Sequence, residues 1–259
     1  AAAIASRDNP LTARVMVNRL LGWFAGHAPV ASPSNFGHSG QPPSFPELLD
    51  DLAVHFMNDG WSVKSFVREI VLSSTYRQSS RTDARKAGLD SANESLWRMN
   101  RRRLTVEQWR DAVLFASGEL DQFGGKSLEL DDSKNLRRTV YARVSRLKLN
   151  DLLMQFDYPD ANVHAEKRAV TTTPLQRLFM LNSPFMVERA KALAARLTVD
   201  PQDGNEARVQ QVYHLLFARE PNEAEAKLAL SFLADRAGAP ISRWEQYAQM
   251  LLVSNEMLY

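Results

Sequence analysis

Cysteine is absent from the 259 residues. Disulfides, thiolate nucleophiles, thiolate-bound zinc and covalent c-type haem attachment are therefore all excluded within this chain. Long apolar runs are missing as well, and none approaches the roughly 20 residues that a membrane-spanning helix needs. An excess of one charge sign is also lacking, since 32 Lys and Arg face 30 Asp and Glu, a net charge of +2. Such a balance argues against a dedicated nucleic-acid or acidic-membrane binder, and leaves room only for a local patch. Residues 1–6 have neither a charged n-region nor an apolar h-region, so they form no signal peptide. They read as the stub of a longer chain, which makes the missing signal uninformative about compartment.

Familiar catalytic signatures are missing too. The histidines are His27, His38, His55, His164 and His214. They form no His-x-x-x-His or His-Glu-x-x-His pair and no metal-spaced cluster with acidic residues. There is no Gly-x-Ser-x-Gly elbow and no phosphate-binding Walker loop.

What remains is an ordinary globular composition, 44% hydrophobic and 24% charged, with strong helix punctuation. Asn9-Pro10 is an N-cap followed by proline at the first helical position, opening a helix that runs to about Gly22. A long ordered loop rich in Pro, Gly and Ser follows, over 28–46. Ser44 with Pro46 and Glu47 starts a second helix that ends at Asn58-Asp59-Gly60, and Ser62 opens a third that ends near Tyr76. Residues 77–94 are apolar-poor and read as a mobile surface connection. Thr105 and Gln108 have capping-box spacing. Residues 137–148 fit either period, and we read a short extended segment there. Thr173-Pro174 and Ser183-Pro184 begin helices that reach about Asn182 and Leu197. Residues 205–218, 222–236 and 242–254 read as three more amphipathic helices, with short links at Arg219-Glu220-Pro221 and Gly238-Ala239-Pro240. The fold class is thus mainly α: a multi-helix bundle with long ordered loops and at most a short β segment. Three parts are expected: an N-terminal helical subdomain (1–118), an irregular basic middle segment (119–172) and a C-terminal helical bundle (173–259), together one composite domain of a larger protein.

Candidate chemistry is sparse. Asp157, Asp160 and Asn162 cluster around a proline turn, where oxygen ligands could hold calcium. The glycine and downstream glutamate of an EF-hand are lacking, and the bland reading is that the aspartates bond to nearby backbone N–H groups. Basic residues gather at 98–103 and 134–148, including Arg143 and Arg146. They offer a surface for a polyanion unless Glu129, Asp131 and Asp132 neutralise them. The five tryptophans fall mostly on helix stripes, as core residues would. Arg14, Asn18 and Arg19 are polar on an apolar helix and suit bonds to the following loop. Gln176 and Asn182 suit buried amides that satisfy loop carbonyls. Arg168 is placed to pair with Asp157 or Asp160. If one concave site exists, it lies where loop 35–41, with Asn35 and His38, meets segment 157–173.

Several blocks, in order, resemble one bacterial family. They are Asn9-Pro-Leu-Thr-Ala-Arg-Val-Met-Val-Asn-Arg19, Ser32-Pro-Ser-Asn-Phe-Gly37, Pro46-Glu-Leu-Leu-Asp50, Gly60-Trp-Ser-Val-Lys64 and Ser73-Ser-Thr-Tyr-Arg-Gln-Ser79. Further on come Phe156-Asp-Tyr-Pro-Asp160, Arg168, Thr171-Thr-Thr-Pro-Leu-Gln176, Met180-Leu-Asn-Ser-Pro-Phe185 and Asn255-Glu-Met-Leu-Tyr259. The chain resembles the planctomycete secreted domain family, domain of unknown function 1553. The resemblance implies the C-terminal part of an exported, periplasmic or secreted protein, downstream of another helical domain and often of a cytochrome c-like domain. Haem would then belong to a missing upstream domain, with no cofactor in this chain. Many relatives have His before Pro-Glu-Leu-Leu-Asp, where this chain has Phe45. They often have Trp-Gln-His after the first Asn-Arg, where Leu21-Gly22-Trp23 stands here. Both departures remove imidazoles.

Two functions from different classes follow. The first is a non-catalytic interaction or scaffold domain that docks upstream domains of the same polypeptide or an extracellular ligand such as polysaccharide. The alternative is an acid/base hydrolase of an extracellular polysaccharide using Asp157, Asp160 or His38, which needs two carboxylates roughly 5–10 Å apart. Ligand contacts would fall to Asn35, Arg168, Arg143 and Arg146. Non-covalent haem and nucleic-acid binding rank below both.

Overall fold

Proline and small polar caps set where the helices begin, and the computed structural model describes them over residues 3–130, 132, 134–200, 202, 204–235 and 241–259. The architecture is mainly α. Among the described residues, no helix is long and apolar enough to cross a membrane. The chain divides into two units, Ala1–Arg102 and Arg103–Tyr259.

In the first unit, α1 (Pro10–Ala25) starts on Asn9, whose side chain accepts from the Leu11 N–H at 3.1 Å. It runs three residues beyond the expected end, because Gly22 continues the helix and lets Ala28 approach. A Cβ on Gly22 would sit 3.1 Å from that of Ala28. The stop is Gly26, in the left-handed region at φ 73°. α2 (Pro46–Asn58) is not capped by Ser44 as expected. Phe45 holds the N-cap position without a side-chain bond, and the Ser44 N–H donates to the Pro29 carbonyl at 2.9 Å instead. α3 (Val63–Leu72) begins on Ser62. Ala13, Val17, Leu20, Leu49, Ala53, Phe56 and Phe66 form the core of this unit, with Phe56 edge-on to Trp61 and Phe66. Trp23, expected in a core stripe, is exposed.

Residues 77–94 are not a structureless connection. They hold α4 (Ala84–Leu89), capped by Asp83. Beyond it the Asp90 carboxylate accepts from the N–H groups of Glu94 and Ser95 and from the Ser95 hydroxyl. These bonds hold the Asp90 carboxyl below the usual carboxylate range, the Ser95 hydroxyl contributing most. Asn93 is buried and donates to the Arg98 carbonyl. A segment poor in apolar residues is ordered here by side-chain to backbone bonds.

The second unit contains α5 (Val106–Ser117), α6 (Asp151–Gln155), α7 (Pro174–Asn182), α8 (Pro184–Leu197), α9 (Asn205–Phe217), α10 (Glu223–Ala234) and α11 (Arg243–Leu252). The capping box expected at Thr105/Gln108 is formed, and Thr173, expected as a cap before proline, forms a further box with Gln176. Asn222/Glu225 and Ser242/Glu245 form two more. α8 packs on α5 and α11, burying Met186, Leu193, Leu197, Val113 and Leu252. The Trp109 ring stacks on Phe156 at 5.1 Å. Thus α5, grouped by sequence with the N-terminal helices, is built into the second unit. The expected link Gly238-Ala239-Pro240 and the helix end at Arg236 lie outside the described residues.

The extended reading of 137–148 is corrected. Thr139–Tyr141 is a 3-10 turn, and only isolated bridges join Asp121 to Arg137 and Leu128 to Ala142. The cause lies in α5. Asp111 accepts from both the N–H and the hydroxyl of Thr139, each at 2.7 Å, and curls the chain onto the helix. Arg110, fully buried, donates to the Arg137 carbonyl, the Thr139 hydroxyl and the Asn135 carbonyl. Burial pushes its guanidinium pKa down.

Candidate functional site

The turn after α6 starts with a backbone feature that the sequence does not announce. Asp157 sits in the left-handed region at φ 61°, a conformation that aspartate tolerates better than most residues. The Tyr158 N–H closes the turn on the Leu153 carbonyl at 3.0 Å. One Asp157 oxygen then accepts from the Thr171 N–H at 2.9 Å, and the other from the Thr171 hydroxyl at 2.7 Å. Asp160 closes its own turn by accepting from the Asn162 N–H at 2.8 Å, while the Asn162 amide donates to the Arg146 carbonyl at 2.9 Å. Both aspartates therefore serve turn geometry. Asp157 is thus bound to Thr171, and Asp160 to Asn162, whose amide also donates to Asp160 at 3.2 Å. Among the described residues, no group of three His, Cys, Asp or Glu side chains is placed to hold a metal ion.

Gln176, at N3 of α7 and 1% exposed, is the centre of the site. Its amide nitrogen donates to the Gln155 carbonyl at 2.9 Å and lies 3.4 Å from Asp157. Its amide oxygen accepts from Arg103 at 2.9 Å and from the Thr173 N–H at 3.4 Å.

Arg168 pairs with neither aspartate. It donates to Glu107 at 2.7 Å and lies 4.9 Å over the Tyr158 ring. Burial alone would raise the Glu107 carboxyl, but the hydrogen bond and charge of Arg168, with local donors, hold it below the usual carboxylate range. The same bond raises the Arg168 pKa. A cavity of about 50 Å³ lies among Arg103, Trp109, Phe156, Asp157, Arg168 and Leu258. That volume holds a few waters and falls well short of the few hundred cubic ångströms usual for small-molecule ligands. Arg103 and Glu107 were not singled out beforehand. In sequence the first is one of a basic run and the second sits inside a capping box.

In the first unit, Asn35 folds the glycine-rich loop on itself. Its side chain accepts from the Gly37 N–H and donates to the Ser39 hydroxyl, each at 3.1 Å. Ser32 closes the base by donating to the Asn35 carbonyl and accepting from the Gln41 N–H. Gly40 is required there, because a Cβ would come within 2.1 Å of the Asn35 carbonyl oxygen. His38 is exposed and lines an open groove of about 270 Å³ with Arg14, Val30, Phe36, Gln41 and neighbouring prolines. Arg14 is paired with Asp50 at 2.7 Å, so it bonds to α2 and not to the loop. Asn18 does hold the loop, donating to the Val30 carbonyl at 3.0 Å and accepting from its N–H at 2.7 Å. Loop 35–41 and segment 157–173 belong to different units. Each forms its own local site.

Of the basic candidates, Arg143 pairs with Glu129 at 3.2 Å, with both side chains more than half exposed. Arg146 is exposed, and its backbone carbonyl serves Asn162. Asp131, the other expected neutralising acid, lies outside the described residues.

Helical units, cap-and-proline starts and loops fastened by buried carboxamides define a mainly α class of protein. The chain belongs to the PSD1 family, described as protein of unknown function (DUF1553), whose family profile matches residues 1–233. No curated protein and no solved structure matches the chain.

Proposed function

We propose that this chain is a non-catalytic interaction domain of an exported multi-domain bacterial protein, and that it docks another helical or cytochrome c-like domain of the same polypeptide. One observation carries the reading. Most polar groups of the best candidate site are spent on each other, with Arg103 Nη1 and Trp109 Nε1 left unpartnered, whereas α7 beside it presents Leu175, Leu178 and Leu181, all at least half exposed, at spacings of three residues. Residues so spaced share one helix face. Gln155 and Gln249 fasten the backbone of this helix at both ends, donating to the Leu175 carbonyl at 2.6 Å and the Leu181 carbonyl at 2.7 Å. The leucines thus stand on a fixed support.

Hydrogen exchange of this chain alone and within the longest polypeptide that carries it tests the reading. Added protection on α7 is expected in the longer form, and its loss in a Leu175→Ser, Leu178→Ser double variant. Equal exchange in both forms overturns the docking face. The hydrolase alternative is checked with Asp157→Asn. If the native chain cleaves a polysaccharide and this variant loses turnover while melting normally, the non-catalytic reading fails.

A further inference from the structure

Residues 121–148 carry seven Lys and Arg against four Asp and Glu, although the whole chain has an excess of only two positive charges. Backbone contacts draw the described residues of this stretch into one lobe of the second unit. Besides the two bridges already described, the Arg143 N–H donates to the Leu128 carbonyl at 2.9 Å, and the Tyr141 ring lies against Gly124. Asn162 ties the neighbouring turn to Arg146.

On this lobe large apolar side chains stand in solvent: Leu147 is 98% exposed, Phe123 83% and Val140 69%. Lys126, Arg143, Arg146 and Lys148 are exposed among them. Arg137 pairs with Asp121 at 3.5 Å, Arg138 with the largely buried Asp111 at 3.6 Å and Arg143 with the exposed Glu129 at 3.2 Å, whereas no ion pair among the described residues takes up Lys126, Arg146 or Lys148.

The two kinds of side chain together select the partner. A sulfated or uronic polymer, or a nucleic acid backbone, would engage the cations and give Leu147, Phe123 and Val140 nothing to enter. An anionic bilayer engages both, cations at the headgroups and apolar tips at the boundary with the acyl chains. We propose that the lobe 121–148 is a peripheral contact site for an anionic lipid surface. Phe123, Val140 and Leu147 insert shallowly, and Lys126, Arg143, Arg146 and Lys148 lie on the headgroups. The proposal uses no residue of α7 and stands if the docking face fails.

Sedimentation with vesicles of phosphatidylcholine containing one third phosphatidylglycerol, against phosphatidylcholine alone, tests it. Binding is expected to the anionic vesicles only, weakening as salt screens the headgroups. Arg146→Gln with Lys148→Gln should weaken it about 25-fold, at roughly five-fold for each cation. Phe123→Ser with Leu147→Ser should weaken it by about ten-fold or more. All four positions are exposed, and unchanged thermal melting verifies that the variants fold. Absence of binding to anionic vesicles at low salt overturns the proposal. So does binding that ignores the Phe123 and Leu147 changes while a sulfated polysaccharide competes for the same cations, which would make the lobe a polyanion site.

Discussion

In the first unit the side chain of Asn18 closes a two-bond ring with the backbone of one residue, Val30. In the second, the side chain of Gln176 meets Arg103, Gln155 and Thr173 and approaches Asp157 and Thr171. Both are buried carboxamides on helices, and both fasten a non-helical segment. The difference lies in how many strands of chain depend on one side chain. Asn18 replaces a piece of backbone pairing for a single loop. Gln176 joins the entry to α5, the end of α6, the turn at Asp157 and the start of α7. A carboxamide has donors and acceptors in one planar group, so it can splice a loop neutrally where a charged residue would need a counterion.

The comparison can be broken most sharply at Asn18. Asn18→Ala strands the N–H and the carbonyl of the buried Val30 together, and each orphaned buried group costs about 1–3 kcal/mol. A loss of roughly 2–5 kcal/mol is expected, read as a large drop in melting temperature or in denaturant midpoint. A change below about 1 kcal/mol would mean that water replaces the amide, and the ring would then be incidental. Gln176→Leu comes next, at about 2–4 kcal/mol, because some of its partners keep other bonds. Asp157, for example, still accepts from Thr171. Faster proteolysis at 157–173 than elsewhere in that variant would show the several-segment role directly.

Smallest is the rim pair. Glu107→Gln should cost no more than about 1 kcal/mol at neutral pH, because Arg168 and Glu107 are partly exposed. Its sign with pH is fixed by linkage. The folded carboxyl lies below its ordinary value of 4.5, so the stabilisation is present above that value and is lost as pH falls through the folded value. Native and Glu107→Gln melting curves should therefore converge in acid. Divergence there would show that the pair does not supply the difference.

The caps were legible because they are local. Asn9-Pro10, Thr105 with Gln108, Thr173-Pro174 and Ser183-Pro184 each act within four residues, and all four start helices as read. Asn18 and Gln176 were legible as polar residues where a core stripe or a cap lies, though the number of Gln176 partners was not. Arg168 shows the limit. Two aspartates lie close to it in sequence, yet it pairs with Glu107, 61 residues away. Nothing local encodes that separation. Arg110 drew no reading from the sequence, yet it is buried on the 3-10 turn, bonded to residues 27 and 29 positions away. The extended reading of 137–148 misled because a strand needs a partner sheet, and Asp111 instead holds Thr139 on α5. Asp157 and Asp160 fulfil the bland reading, their oxygens taken by Thr171 and Asn162.

The wiring of the two carboxamides also orders them in time. The Asn18 bonds span 12 residues, whereas the bond from Arg103 to Gln176 spans 73. Closing the shorter loop costs less chain entropy, so it can form while the rest of the chain is still searching. The Gln176 junction can be completed only after its several segments have met, which places it on the native side of the folding barrier. Damage to Asn18 should therefore slow folding, and damage to Gln176 should chiefly hasten unfolding. By this argument the second junction acts as a latch, and sets how long the native state lasts more than how quickly it is reached.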